Sequence, residues 1–570
     1  MASEIEEPAV VGESSTAAEE IKTYRVHVSS RYLKLTKQKL ELSRLPHELS
    51  EPTCKDWWQP KPLVEPLIDF WLEQYQWREQ EEILNSFPQF RTSFKISGSD
   101  SPMRLQFLHA RSPRTDAVPL LLIPPFPFSS LSMGHLIKLF TEPDEAAQQA
   151  FHLVIPSLPG LGFSDSLPTN SAVISLTAHL LDSLMKRLGY RFYLATNAGA
   201  GASSPGQIDY KLAEWLSTEY PESCLGTHLI SPPLSRPRPK EAPIRWAKWS
   251  VAKFFKSPVF GYRSEDLSAL KRQNFKMPTA PARPGFTDAD FYEPNTLAYA
   301  LCDSPTGLLV SVMKALRLIA PGKEFTPTEI INFTQIAWLP GPEAAMRFWG
   351  YCSCHPETPS QKGLGKPHVG ITVFVGHAQN VSRGNSNGNS EADSSRFKGG
   401  STSYSCPAWA KTQYKVLYTN RVEGEPGLLA LERPEIIAAG TRGLAAAVLK
   451  IDKRLRPPPE IALESAPGLE PAPASGSVPT SASGSATAST PGLGPIPSVR
   501  TSAGPEKVGQ GRVSSDTQSD NSLDAMLKPP PAIGDRLMPI REASDDTKVA
   551  SNESLIAKTP SPIPTTPSPA

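Results

Sequence analysis

Ser203, Ser204 and Asp209 are the first residues of this chain that invite a chemical reading, because they follow the glycine-rich stretch TNAGAGASSPG, itself placed after the apolar run RFYLA. A tight turn from strand to helix is where a nucleophile can stand exposed, with an acid and a histidine supplied by later strand ends. A second turn of this kind, PSLPGLGFSD, follows FHLVI. The serines do not complete Gly-X-Ser-X-Gly, since Pro205 takes the last glycine, and a serine at either place falls inside the following helix. Asp209 lies further along and is expected on that helix, away from any reacting centre. Cys352-Ser353-Cys354-His355 carries metal-ligand types, but no second ligand pair stands at zinc spacing, so these read as core or surface thiols. No dinucleotide fingerprint, P-loop or EF-hand pattern occurs.

Short apolar runs alternate with amphipathic segments between Lys22 and Leu455, which predicts an α/β fold with a mostly parallel sheet. Strands are expected at 118–123, 151–155, 191–195, 225–230, 370–375 and 413–418. Helices are expected from Ile174, where leucines recur at helical spacing, and from Tyr210, in YKLAEWLSTEYPE. The stretch 236–360 breaks the strand rhythm and reads as a helical cap inserted into the sheet domain. The boundaries that follow are an N-terminal extension at 22–115, sheet-domain parts at 116–235 and 361–455, and the cap between them.

Charge and composition narrow the partners. Fifty-eight Lys and Arg against 57 Asp and Glu leave +1, so no global field favours nucleic acid. The 60 prolines crowd toward the C-terminus; with the acidic segment 1–21 and the Ser/Asn/Gly insertion 379–403, the tail 456–570 is expected to be disordered for want of an apolar face. Its Ser-Pro and Thr-Pro pairs are candidate proline-directed phosphorylation sites. Six scattered cysteines do not make a disulfide framework. With no basic-then-apolar leader and no apolar run of membrane-spanning length, the expectation is a soluble, intracellular, cytoplasmic protein without a transmembrane segment.

Several long segments together resemble the microsomal-type epoxide hydrolases of the α/β-hydrolase fold. They are YRVHVSSRYLKLTKQKLELSRLPHEL from Tyr24, IDFWLEQYQWREQEEILNSFPQF from Ile68, LQFLHARS from Leu105, FTEP from Phe140, PSLPGLGFSD from Pro156, TLAYALCDSPTGLL from Thr296 and MRFWGY from Met346. The resemblance implies an elbow aspartate that attacks an epoxide carbon and two cap tyrosines that polarise the ring oxygen. It also implies a histidine, oriented by an acid, that activates water on the ester intermediate. No metal or organic cofactor is implied.

At the positions matching that machinery this sequence differs throughout. The elbow reads Asn197-Ala198-Gly199-Ala200-Gly201-Ala202, with Gly199 at the nucleophile position. The base position is Gly427, and the ten histidines end at His377, which holds the acid position. The cap tyrosines correspond to Phe286 and Trp349, with Tyr351 two residues on as a possible substitute. Where the family has His-Gly-X-Pro-Gly, this chain has Pro124-Pro125-Phe126-Pro127-Phe128-Ser129, and each added proline removes an N–H donor. The expectation is an epoxide-hydrolase-like protein that is inactive or strongly altered. It would hold an apolar small molecule in a pocket lined by Phe126, Phe128, Phe286, Trp349 and Tyr351; the alternative is an active epoxide hydrolase that uses unrecognised residues.

Overall fold

The computed structural model describes residues 20–47, 61–96, 99–168, 172–199, 207–275, 293–320, 322–360, 365–376 and 404–456. All of these fall in the first of two units, which ends at Gly468. The tail, the insertion 379–403 and nearly all of segment 1–21 lie outside the described residues.

In chain order the first elements are β1 (Lys22–Thr23), α1 (Ser30–Glu41), α2 (Lys61–Glu73), α3 (Trp77–Asn85), β2 (Gln89–Phe94) and β3 (Met103–Ala110). Then come β4 (Val118–Ile123), α4 (Leu136–Thr141), β5 (Phe151–Pro156), α5 (Val173–Arg187), β6 (Tyr193–Asn197), α6 (Ile208–Glu219) and β7 (Cys224–Ile230). Six helices follow without a strand among the described residues: α7 (Pro243–Phe255), α8 (Ser264–Phe275), α9 (Pro294–Asp303), α10 (Pro305–Ile319), α11 (Pro327–Trp338) and α12 (Glu343–Cys354). The chain then returns through β8 (His368–Phe374), α13 (Pro407–Ala410), β9 (Lys415–Val422), α14 (Leu429–Glu432) and α15 (Pro434–Ile451).

The nine strands form one sheet in the order β1-β2-β3-β5-β4-β6-β7-β8-β9. From β5 to β9 every pairing is parallel, whereas β1, β2 and β3 pair antiparallel with their neighbours and β3 runs antiparallel to β5. This corrects the sequence-based expectation of strands from 118 onward only. QFRTSF and MRLQFLHA interleave polar with apolar residues and so lack the continuous apolar signature of a buried strand, although β3 is buried at all but one position and its Gln106 is fully buried.

Strand β4, VPLLLI, has that signature. Leu121 and Ile123 enter one buried cluster, with Leu180 and Leu184 of α5 and Leu212 of α6; Leu120 and Leu122 enter the other, with Leu444 and Val448 of α15. Alternate residues thus bind helices on opposite faces, which fixes the register of the strand and the position of whatever follows it. Because β4 sits between β5 and β6, the chain reverses direction across the sheet there, and the crevice at the carboxyl ends of such strands is where α/β sheets hold ligands.

His228 of β7 shows what the sheet interior does to a titratable group. It is fully buried between Thr196 Oγ1, 3.0 Å from Nδ1, and Thr372 Oγ1, 2.8 Å from Nε2. Burial pushes its pKa down to about 3, so the ring is neutral in the folded protein. A depressed histidine binds fewer protons folded than unfolded. Its stabilisation is complete above the unfolded pKa of roughly 6.5 and is lost progressively as pH falls toward the folded value. Urea unfolding at pH 5 should give a stability lower than at pH 7 by roughly 2 kcal/mol from this residue alone. The slope should flatten in His228→Gln; an unchanged slope in that variant would refute the assignment.

Candidate functional site

The described residues enclose a cavity of about 150 Å³ at the carboxyl ends of β4 and β5. Its walls come from the segment after β4 (Phe126 to Ser129), from the turn after β5 (Gly160 to Gly162), and from α10, α11 and α12. Proline and aromatic residues after β4 fill space instead of presenting N–H donors. Phe126 is buried, stacks on Phe348 at 5.9 Å and meets Trp349 edge-on at 5.9 Å, while Phe128 meets Phe333 edge-on at 5.3 Å. These rings join the segment after β4 to α11 and α12 through quadrupole-matched contacts. Below them a buried network holds the same segment to β3: Ser130 Oγ bonds Gln106 Oε1 at 3.1 Å, and Ser157 Oγ donates to that oxygen at 2.5 Å. Ser129 differs from its neighbours. Its hydroxyl is buried, lines the apolar cavity and has no hydrogen-bond partner among the described residues.

Gly199 ends the turn after β6, and its surroundings explain the missing side chain. Asp209, at the start of α6, is fully buried, and its Oδ2 accepts hydrogen bonds from Gly199 N and from Asn197 Nδ2, both at 3.0 Å. Asn197 in turn accepts from Ile230 N at 2.9 Å, tying the β6 end to β7. A Cβ built on Gly199 would overlap this carboxylate, with Asp209 Cγ only 2.7 Å away. The sequence reading put Asp209 away from the reacting centre; α6 does carry it, but its side chain folds back into the space where an elbow side chain would start. Ser203 and Ser204 lie outside the described residues.

Gly427, expected from the resemblance at the base position, repeats the arrangement. Gly427 has φ +60°, a left-handed conformation that costs an ordinary residue roughly 1–2 kcal/mol. A Cβ there would overlap Glu432 of α14, whose Cδ lies 3.0 Å away and whose Oε1 accepts from Gly322 N at 3.0 Å. Neither Gly199, Asp209, Gly427 nor Glu432 is part of the cavity wall. His377 and Phe286 lie outside the described residues, so the acid position and one tyrosine position have no structural account. Trp349 is in the wall. Tyr351, grouped with the cavity residues on sequence, is not: its ring stacks on His355 at 4.2 Å, because two residues along a helix turn a side chain to the other side. In the neighbouring cysteine cluster Cys352 is buried, which pushes its thiol up to about 12, and Cys354 is exposed. Among the described residues no three His, Cys, Asp or Glu side chains converge as metal ligands would.

Residues 21–133 match the family described as "Epoxide hydrolase N terminus". Epoxide hydrolase 1 of Sus scrofa is 25% identical over 458 residues, which are 76% of this chain and 90% of that protein. By its N-terminal region and by these relatives the chain is similar to the microsomal-type epoxide hydrolases. Juvenile hormone epoxide hydrolase 1 of Ctenocephalides felis is 26% identical over 258 residues, 44% of this chain, and the match spans half of that protein's length. The fold agrees: the structure of Aspergillus niger epoxide hydrolase superposes with a TM-score of 0.55 at 20% identity, covering 76% of this chain and 98% of that one. Gly199 and Gly427, the two glycines that the sequence comparison singled out, are each packed against a carboxylate from the next helix.

A carboxylate placed at residue 199 should therefore be poorly accommodated, for a steric and electrostatic reason. Gly199→Asp places two carboxylates in one buried space and should destabilise the fold by roughly 3 kcal/mol or more in urea titration. Adding Asp209→Ala should recover at least half of that loss. A Gly199→Asp protein as stable as the parent would show that the space is not filled as described.

Proposed function

We propose that this epoxide-hydrolase-like chain binds an apolar small molecule between sheet and cap without opening epoxides by the ester mechanism of its relatives. The observation that supports the reading is that the side-chain space is filled at Gly199 by Asp209 and at Gly427 by Glu432, the two residues that the resemblance aligns with the nucleophile and the base. Alkylation needs a carboxylate that reaches the substrate, and ester hydrolysis needs a base within hydrogen-bond reach of water. These are separate steps, and the sequence has lost the residue for each.

What the site retains is shape. An apolar pocket of about 150 Å³ suits a molecule with a single ring, and its aromatic walls supply contact without acid–base groups. The buried hydroxyl of Ser129 adds one polar feature. Leaving a hydroxyl desolvated and unpaired costs about 1–3 kcal/mol, which a ligand with one hydrogen-bonding atom offsets. The occupant is therefore an apolar ring bearing one such atom.

The same geometry also favours a second reading in one respect: Asp209 holds a carboxylate next to the nucleophile position, so an enzyme with a relocated nucleophile is the competing function. Against it stand the two hydrogen bonds that aim Oδ2 at Gly199 N and Asn197 and the absence of Asp209 from the cavity wall.

Calorimetric titration with styrene oxide separates the two. Binding without release of the diol is expected. Ser129→Ala should weaken styrene oxide about fivefold to tenfold while leaving ethylbenzene, which has no oxygen, nearly unaffected, and Ala345→Trp should abolish binding of both. Diol production, or binding indifferent to Ala345→Trp, would overturn the proposal.

A further inference from the structure

Helix α7, PIRWAKWSVAKFF, buries only Trp249 and Ala252. Trp249 packs edge-on against Trp409 at 5.6 Å and beside Tyr262 at 5.3 Å, which anchors the helix to the body of the protein. The opposite side ought then to be polar, as on most surface helices. Instead Ile244, Val251, Phe254 and Phe255 recur at i, i+7, i+10 and i+11, the spacing of a second apolar stripe. Ile244 is 72% exposed, Phe254 79% and Phe255 68%, and the exposed Phe260 extends the ridge beyond the helix. A contiguous exposed apolar patch on one element marks an interaction surface; scattered single residues do not.

The charge around the ridge identifies the partner. Between Ser231 and Arg263 the chain has eight basic residues, Arg236, Arg238, Lys240, Arg245, Lys248, Lys253, Lys256 and Arg263, against a single acid, Glu241. That local +7 stands in a chain whose total is +1. Arg238 spends part of its charge on Glu241 at 3.2 Å, while Lys248 sits over the Phe260 ring at 5.9 Å, beside the apolar stripe. Arg236 and Arg238 also line a polar cleft of about 410 Å³ closed by Trp246 and Trp249.

We infer that α7 and the preceding 235–240 segment form a docking surface for an anionic lipid membrane, with the helix lying in the interface and its Phe254–Phe255 end buried among acyl chains. An apolar ridge flanked by lysines and a half-exposed tryptophan is the composition of a helix that lies on a bilayer. At 13 residues α7 is too short to cross one, and among the described residues no single helix is long and apolar enough to do so. A second copy of the chain is a poor occupant, because a two-fold contact through this face would bring two clusters of +7 together. A nucleic acid would pair with the cations but leaves the aliphatic Ile244 and Val251 in water.

Flotation of the full chain with vesicles tests the assignment. The protein should float with vesicles of phosphatidylcholine and phosphatidylserine in equal parts and float at least about tenfold less with phosphatidylcholine alone. Phe254→Ser with Phe255→Ser should abolish flotation, and Lys248→Glu with Lys253→Glu should weaken it about tenfold or more. Both pairs are exposed, and an unchanged melting temperature verifies that each variant is folded. No flotation of the parent, equal flotation of the variants, a parent dimer that Phe254→Ser with Phe255→Ser dissociates, or tighter binding to single-stranded DNA than to the mixed vesicles would each overturn the inference.

Discussion

The carboxylate of Asp209 is the constraint around which the end of the sheet is arranged. A fully buried carboxylate is tolerable only when its lone pairs are met by donors, and here the donors are the backbone of Gly199 and the amide of Asn197. That requirement fixes three things together. The first turn of α6 must lie against the end of β6, Asn197 must face inward and so hold Ile230 of β7, and residue 199 must have no side chain. The glycine is thus part of a packed arrangement.

A similar logic holds across the site. Glu432 occupies the side-chain space of Gly427, and the segment after β4 is filled by aromatic rings that lock onto α11 and α12. Polar groups near the cavity are paired with one another: carboxylates on backbone N–H groups, and Ser130 and Ser157 on Gln106. What remains facing the cavity is an apolar wall with one unsatisfied hydroxyl, at Ser129. On physical grounds such a wall favours binding over turnover, since it offers contact area but no group that changes protonation during a reaction.

Much of this was legible in the sequence where a residue's environment is local. VPLLLI and FHLVI read as buried strands because parallel strands are apolar on both faces, and the glycine turns after β5 and β6 fell where the strands end. The antiparallel strands β2 and β3 were not read, since polar residues such as Arg91 and Gln106 interrupt their apolar pattern and find partners only in the folded sheet. The reach of Asp209 and the part of Glu432 were not legible for a related reason: helical spacing tells where a residue sits along α6 or α14, not that its side chain reaches back to a glycine one loop earlier. A glycine followed by an acid, ten residues downstream at Gly199 and five at Gly427, was the signal available. Tyr351 was misplaced because proximity in sequence to Trp349 is not proximity on a helix face.

The central claim is that no carboxylate of this site attacks an epoxide, and isotope transfer tests it most directly. An ester mechanism run in H₂¹⁸O leaves water oxygen in the nucleophilic carboxylate, because hydrolysis of the ester returns one solvent oxygen to the side chain. Incubation with styrene oxide in H₂¹⁸O, followed by peptide mass spectrometry, should leave the peptides carrying Asp209 and Glu432 at their unlabelled masses. Epoxide-dependent ¹⁸O in either peptide would contradict the account and identify the nucleophile.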